Sequence, residues 1–347
     1  MKKFLSILTA AAMAAAVLSG CAGKDVPADG GADNDGSVSD KVSVVATIFA
    51  PYDFARQVAG DNAEVTMLLP PASESHSFEP TPQDVIRIQN CDVFLYVGGE
   101  SDEWVHELLE SMDTSGMKIV TLMDCVEVVE EEIVEGMEDD EHEHDDEHEH
   151  DDEDGHDDED SHDDEDGHDD EHEYDEHVWT SPKNAQLIVQ KISAALCEAD
   201  ASHAEQYLRN EEAYIEQLKE LDGKFQAVVD GAARKTFVFG DRFPFRYFAD
   251  AYGLDYFAAF PGCSTETEPS AATVAFLIDK VEAESIPVVF HIELSNGKMA
   301  ETIAEATGAK VLELHACHNI TRDDFINGMT YLDLMNRNVE ALKEALY

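Results

Sequence analysis

Positive charge is what this 347-residue chain has least of: 22 Lys and Arg stand against 77 Asp and Glu, a formal net charge of -55 at pH 7. So anionic a surface repels nucleic acid and anionic substrates, and no nucleic-acid partner is expected. The imbalance is not local, since 27 acidic residues fall within 138–176 and the rest of the chain still carries about -28. Cysteine is sparse, six residues with no CxxC pair, which disfavours a cysteine zinc site. The apolar stretch at residues 4–17 falls short of the about 20 residues a spanning helix needs. HExxH, GxSxG and GxxxxGK[ST] are all missing, and the two SxxK matches, Ser115 with Lys118 and Ser295 with Lys298, lack SDN and KTG partners. The common hydrolase, acylating and nucleotide-hydrolysing signatures are thus set aside, and no enzyme is expected.

The amino terminus points to a compartment. Lys2 and Lys3 precede the apolar stretch, and Leu18-Ser19-Gly20 places small residues before Cys21. This resembles a bacterial lipoprotein signal peptide, which implies removal of residues 1–20, lipidation of Cys21 and an extracytoplasmic protein anchored to the bacterial cell membrane by lipid. Residues 21–41, rich in Gly, Asp, Ser and Ala, read as a flexible tether. With Cys21 lipidated, Cys91, Cys125, Cys197, Cys263 and Cys317 remain, an odd set that allows at most two disulfides.

Within 138–176, where Lys and Arg are absent, His142, His144, His148, His150, His156, His162, His168 and His172 punctuate near-continuous Asp and Glu. Neutral imidazole is the commonest side-chain metal ligand, and anionic surroundings concentrate cations, so the tract reads as an auxiliary metal loop. The alternative is a solvated, self-repelling acidic loop with incidental histidines. In both readings the tract has too few apolar residues to fold by itself.

Elsewhere short β-branched runs alternate with helical patterns, the rhythm of βα units around a parallel sheet. Strands are expected at 43–49, 64–69, 92–97 and 118–122, with helices at 52–59, 82–89 and 104–112. Ser181 before Pro182 marks a helix start, and the Pro-free pattern at 204–229 predicts a helix nearly ~40 Å long. A second round follows, with strands at 236–239, 255–260, 287–293 and 310–314 and helices at 245–252, 271–284, 298–307 and 329–346. The expected fold is α/β, with two Rossmann-like lobes, each a parallel sheet flanked by helices, joined by a long rigid helix. The lobes are assigned to 42–180 and 231–347, with linking helices at 181–230. Ligands of open parallel sheets bind beyond the carboxyl ends of the strands, so a site is expected in those turns.

Two of the turns carry histidine. His76 lies in Leu-Leu-Pro-Pro-Ala-Ser-Glu-Ser-His-Ser-Phe-Glu-Pro-Thr-Pro (68–82), and His177 in His-Val-Trp-Thr-Ser-Pro. These segments resemble the PGxxPHxYEPTP and DPHxWLDP stretches of the cluster A-I solute-binding lipoproteins, which feed zinc or manganese to ABC importers. The similarity covers residues 42–347, and an acidic, His-rich loop before the second histidine is typical of the zinc-specific members. By that resemblance His76 and His177 are the first two imidazole ligands. The family's third ligand, a His or Glu before YF, falls in Phe-Gly-Asp-Arg-Phe-Pro-Phe-Arg-Tyr-Phe (239–248). Asp241 is the candidate there, with helix capping or pairing to Arg242 as the alternative. The fourth, an Asp before YLDLM, falls in Val-Leu-Glu-Leu-His-Ala-Cys-His-Asn (311–319). Strand register puts His315 nearest, with His318 as the alternate. Glu293 resembles a family Glu that supports rather than binds the metal, and His291 on the same strand face reads as structural.

Three nitrogens and one carboxylate suit tetrahedral Zn2+ better than Mn2+, which favours a more carboxylate-rich shell. The resemblance implies high-affinity zinc capture in the interlobe cleft by a monomer, and delivery to an ABC permease and its ATPase. The alternatives are a manganese-binding homologue and a surface zinc buffer or adhesin with no transport role.

Overall fold

Val42–Ala46 forms β1, and α1 (Phe49–Ala59), β2 (Ala63–Met67), α2 (Pro82–Gln89), β3 (Val93–Tyr96), α3 (Glu103–Glu110) and β4 (Lys118–Thr121) follow. The computed structural model describes residues 41–74, 78–137, 174–264 and 269–347. The leader and Cys21, the eight tract histidines and His76 lie outside the described residues. The four strands make a wholly parallel sheet in the order β2-β1-β3-β4. Val44 of the inner strand β1 pairs with Val65 on one side and Val93 on the other. Both faces of the sheet are covered: Val44 packs into a core shared with α1, while Val45 and Phe94 face Ile88 of α2 and Val105 of α3. Such double burial is why β1 is a near-continuous β-branched run rather than an alternating one.

Two helices come next, α4 (Pro182–Ala199) and α5 (Ala204–Asp230), and then a second set of βα units. These are β5 (Thr236–Phe239), β6 (Arg242–Phe243), α6 (Arg246–Tyr252), β7 (Asp255–Phe257), β8 (Phe260–Pro261), α7 (Ala271–Glu284), β9 (Val288–His291), α8 (Lys298–Thr307), β10 (Lys310–Glu313), α9 (Arg322–Ile326) and α10 (Tyr331–Leu346). The second sheet is also parallel, in the order β10-β9-β5-β7. Each sheet therefore has its first strand between its second and third. One apolar core runs from Val44 and Phe54 through Tyr207 and Phe225 of α5 to Phe237 and Phe290.

Local chemistry sets the helix starts. Pro82 stands at the head of α2 behind Thr81, whose side chain and Asp84 cap each other's backbone N–H, and Thr330 with Asp333 repeats the device on α10. Ser181 and Pro182 do begin α4, although the Ser181 side chain makes no capping bond. The strand expected at 255–260 is two pieces. β7 stays in the sheet, and β8 leaves it to pair with β6, Phe243 opposite Pro261.

Between β4 and α4 a strap, residues 126–137, reaches the second sheet's elements. Glu132 pairs with Arg246, Glu135 with Lys280 at 3.2 Å, and Glu131 accepts the N–H of Cys263 at 3.0 Å. Glu130 forms an antiparallel bridge with Tyr174. Cys91, Cys125, Cys197, Cys263 and Cys317 are free thiols, so the disulfides that their number allowed are not made. Cys91 and Cys317 lie in different apolar clusters, which keeps at least these two from meeting. No helix among the described residues is long and apolar enough to cross a membrane.

Candidate metal centre

The strand order fixes where ligands meet. In each sheet the chain turns opposite ways after its first and third strands, which opens a crevice at their carboxyl ends. Thr47 and Ile48 follow β1 and Val97 follows β3; together with Trp104, His177 and His318 they line a small cavity. It leaves about 30 Å³ of open space, room for an ion or a water but not for a peptide or sugar.

His177 and His318 face each other there, ring centroids 4.7 Å apart and planes at 76°. Each is backed by a carboxylate. Asp175 Oδ1 lies 3.0 Å from His177 Nδ1 and also accepts the His177 backbone N–H at 2.8 Å. Glu293 Oε1 lies 3.4 Å from His318 Nδ1 and accepts the His318 backbone N–H at 2.9 Å. Carboxylates at Nδ1 place the ring proton there, so Nε2 is the lone-pair donor on both rings; this is the arrangement that orients metal-binding imidazoles. Trp179 lies 5.6 Å from the His177 ring and 5.2 Å from that of His318.

Electrostatics separates the two rings. Burial pulls His177 down, but Asp175, Glu176 and Glu131 outweigh it and hold the imidazole above its ordinary value. Burial also pulls His318 down, and with His177 and Arg242 adding to it, the pull exceeds the support from Glu293, so His318 is lowered. Burial alone would raise Glu293. His315, His318 and the Ala316 N–H hold it well below the usual carboxylate range instead.

His315 sits elsewhere. Its backbone N–H donates to Asn338 Oδ1 and its carbonyl accepts from Asn338 Nδ2, both at 2.8 Å, while its Nδ1 accepts the Cys317 N–H at 3.0 Å. The ring does not line the cavity that holds His177. The strand ladder ends where Leu314 N–H meets the His291 carbonyl, and Cys317 then takes a left-handed φ of 63°. That bend turns His318 inward, and simple strand register does not foresee it.

Asp241 is also occupied with its own turn. Its carboxylate accepts the Arg242 N–H at 2.9 Å and the Ile292 N–H at 3.4 Å, and it borders a separate cavity with Gly240, Asn296 and Lys298. From the same turn it is Arg242 that shares a cavity with His318 and Glu293, its guanidinium on Glu74 at 3.2 Å. His291 Nδ1 lies 2.9 Å from the Ile292 carbonyl. Glu74 and Phe78, the described residues flanking His76, line the two cavities that meet at His318. Among the described residues, no three His, Cys, Asp or Glu side chains converge as a metal site.

Sequence reasoning overlooked Asp175. Its signal was present, since Asp two residues before a histidine is placed to accept that residue's N–H in an Asx turn.

The family model for the periplasmic zinc-uptake complex component A matches residues 44–345. The high-affinity zinc uptake system protein ZnuA of Bacillus subtilis (strain 168) is 33% identical over 317 residues, 91% of this chain and 90% of that protein. The zinc-binding lipoprotein AdcA of Streptococcus pneumoniae is 31% identical over 311 residues, 90% of this chain but 57% of AdcA, so the chain spans little more than half of that relative. Among solved structures, the metal-dependent lipoprotein YcdH of Bacillus subtilis matches with a TM-score of 0.70 at 28% identity, over 88% of this chain and 100% of that one. The Zn(II)-bound ZnuA-like domain of Streptococcus pneumoniae AdcA matches with a TM-score of 0.68 at 28% identity, over 88% and 99%. The two-lobed α/β architecture is common to them and to this chain.

Proposed function

Because the chain belongs to the periplasmic zinc-uptake complex component A family, we propose that it captures Zn2+ outside the cytoplasm and delivers it to a membrane permease driven by an ATPase. The observation that carries this reading is the convergence of His177 and His318, each with a carboxylate behind Nδ1, in a cavity of ion size. His76 completes the set in this proposal, since Glu74 and Phe78 on either side of it line the two cavities that meet at His318. Three imidazole nitrogens suit zinc over manganese. His315 and Asp241 support their own turns rather than the ion, and Glu293 orients His318.

The family is one of solute-binding transport proteins, and the chain is read as non-enzymatic. Anchoring through a lipid on Cys21, a monomeric state, lobes at 42–180 and 231–347, and a role for the tract histidines as an auxiliary loop belong to the same proposal. Calorimetric titration with zinc tests it, using the chain with and without residues 138–173. One tight site should survive the deletion and vanish in His177→Ala. A tight site that disappears with the tract would favour a surface buffer instead.

A further inference from the structure

His177 is fully buried, yet it belongs to neither sheet, so its ring direction has to be set from outside. Two contacts from the second set of βα units do this. On α6, the Tyr247 hydroxyl donates to the Asp175 carbonyl at 2.7 Å and accepts the Val129 N–H at 3.3 Å. Asp175 N–H in turn donates to the Val129 carbonyl at 3.0 Å. The phenol thus locks the strap to the residue whose carboxylate holds His177 Nδ1. After β8, the bare Cα of Gly262 lies against the imidazole. A Cβ added there would stand 2.9 Å from His177 Cε1, 3.0 Å from Nδ1 and 3.0 Å from the Phe243 carbonyl. Gly262 has little room to retreat, because the β6–β8 pairing fixes Phe243 opposite Pro261 and the next N–H, that of Cys263, is held by Glu131.

We propose that Tyr247 and Gly262 are positioning residues for zinc capture: Tyr247 anchors Asp175, Gly262 gives the His177 ring a flat seat, and together they aim Nε2 at the ion. The inference rests on the zinc reading above. Ligand geometry tolerates errors of only about 0.5 Å and 10–20°, and losing an outer support typically costs about 10- to 100-fold in metal affinity. Neither Tyr247 nor Gly262 lines the cavity, so each acts on the ion through Asp175 or the His177 ring.

The test uses Tyr247→Phe, Gly262→Ala and His177→Ala in the full chain, with zinc affinity, melting temperature without metal, and the cobalt(II) absorption spectrum at saturation. The proposal expects Tyr247→Phe to weaken zinc about tenfold and Gly262→Ala more, with altered cobalt ligand-field bands, while melting of Tyr247→Phe falls by only a few degrees because one buried carbonyl loses its donor. Wild-type zinc affinity in Tyr247→Phe overturns it. So does weaker binding with wild-type cobalt bands, which would mark general loosening rather than a misdirected ring. If Gly262→Ala does not fold, Tyr247→Phe decides alone, because it deletes only a hydroxyl. Retention of the tight site in His177→Ala would instead sink the zinc reading beneath the inference.

Discussion

The indole of Trp179 donates a 2.7 Å hydrogen bond to the carbonyl of Ala316. It ties the residue two beyond His177 to the residue two before His318, so the two imidazoles are fixed relative to each other by a bond that involves neither. Trp179→Phe removes it and leaves a buried carbonyl without its donor. A stability loss of about 1–3 kcal/mol is expected, with zinc affinity down about tenfold. Denaturant unfolding and zinc titration measure both, and unchanged affinity would show that the rings are held by their carboxylates alone.

Exchange of the two histidines after β10 separates their roles. His318→Ala should abolish tight zinc binding, whereas His315→Ala should keep a tight site and cost stability, about 1–3 kcal/mol, through the lost Cys317 contact and the lost neighbour of Glu293. The reverse outcome in calorimetry would restore the strand-register assignment.

Glu293 receives the backbone N–H of Ala316 at 2.6 Å and of His318 at 2.9 Å while lying beside both ring nitrogens. Glu293→Gln keeps the shape and removes the charge. Losing the charged acceptor of these buried N–H groups costs about 1.5–3 kcal/mol, and affinity should fall about 10- to 100-fold. A variant that melts and binds like the wild type would contradict this role.

Zinc competes with protons for the imidazoles, so affinity should fall as pH drops from about 7 to about 5. Of the two described imidazoles, His177, held above its ordinary value, keeps its proton to higher pH and shapes the upper part of the transition; His318, lowered, gives up its proton at more acid pH. Asp175→Asn should move the upper edge to lower pH while weakening binding at neutrality. An unmoved edge in a titration series would refute the assignment to His177.

Asp102 gives the metal-free protein a second pH signature. Burial, with Glu176 adding to it, pushes its carboxyl up to about 7 against the N–H groups of Val97 and Gly98. A raised carboxyl favours the protonated native state, so its contribution is full below about 4 and is lost as pH rises through about 7. His177, also raised, adds a fall at pH values above about 6.5, while the depressed Glu293 acts oppositely and loses its contribution only in strong acid. Asp102→Asn should flatten the decline between about pH 4 and 7, removing a slope of up to about 1.4 kcal/mol per pH step of one. Melting curves recorded across that range measure it, and a variant that declines as steeply as the wild type would clear Asp102 of this role.

Much of the fold was legible because burial on both faces leaves a strong imprint. The β-branched runs found β1 and β5, and Thr-Pro and Ser-Pro starts found α2 and α4. Short pieces escaped: α9 is one turn, too brief for a period, and β8 leaves the sheet at a point where 255–260 still looks like one strand. Within the site, His177 was legible because the motif around it is local. The order of His315 and His318 was not, since it depends on a single left-handed residue, Cys317, and on Asn338 a whole helix away in sequence. Tyr247 and Gly262 act on His177 through backbone groups, which no side-chain pattern records.

The bridge between Glu130 and Tyr174 closes the neck of the long excursion that separates the strap from His177. Bringing the two ends of a chain segment together costs entropy only as the logarithm of the number of residues between them, so each doubling adds about 0.6 kcal/mol. The number of His-Asp-Asp-Glu-Asp units in that excursion is therefore nearly free to drift. Recombination between the near-identical units can lengthen or shorten the tract while the neck, and the geometry of His177 three residues past it, stay put. Variants of this protein should accordingly differ far more in tract length than in the residues on either side of the neck.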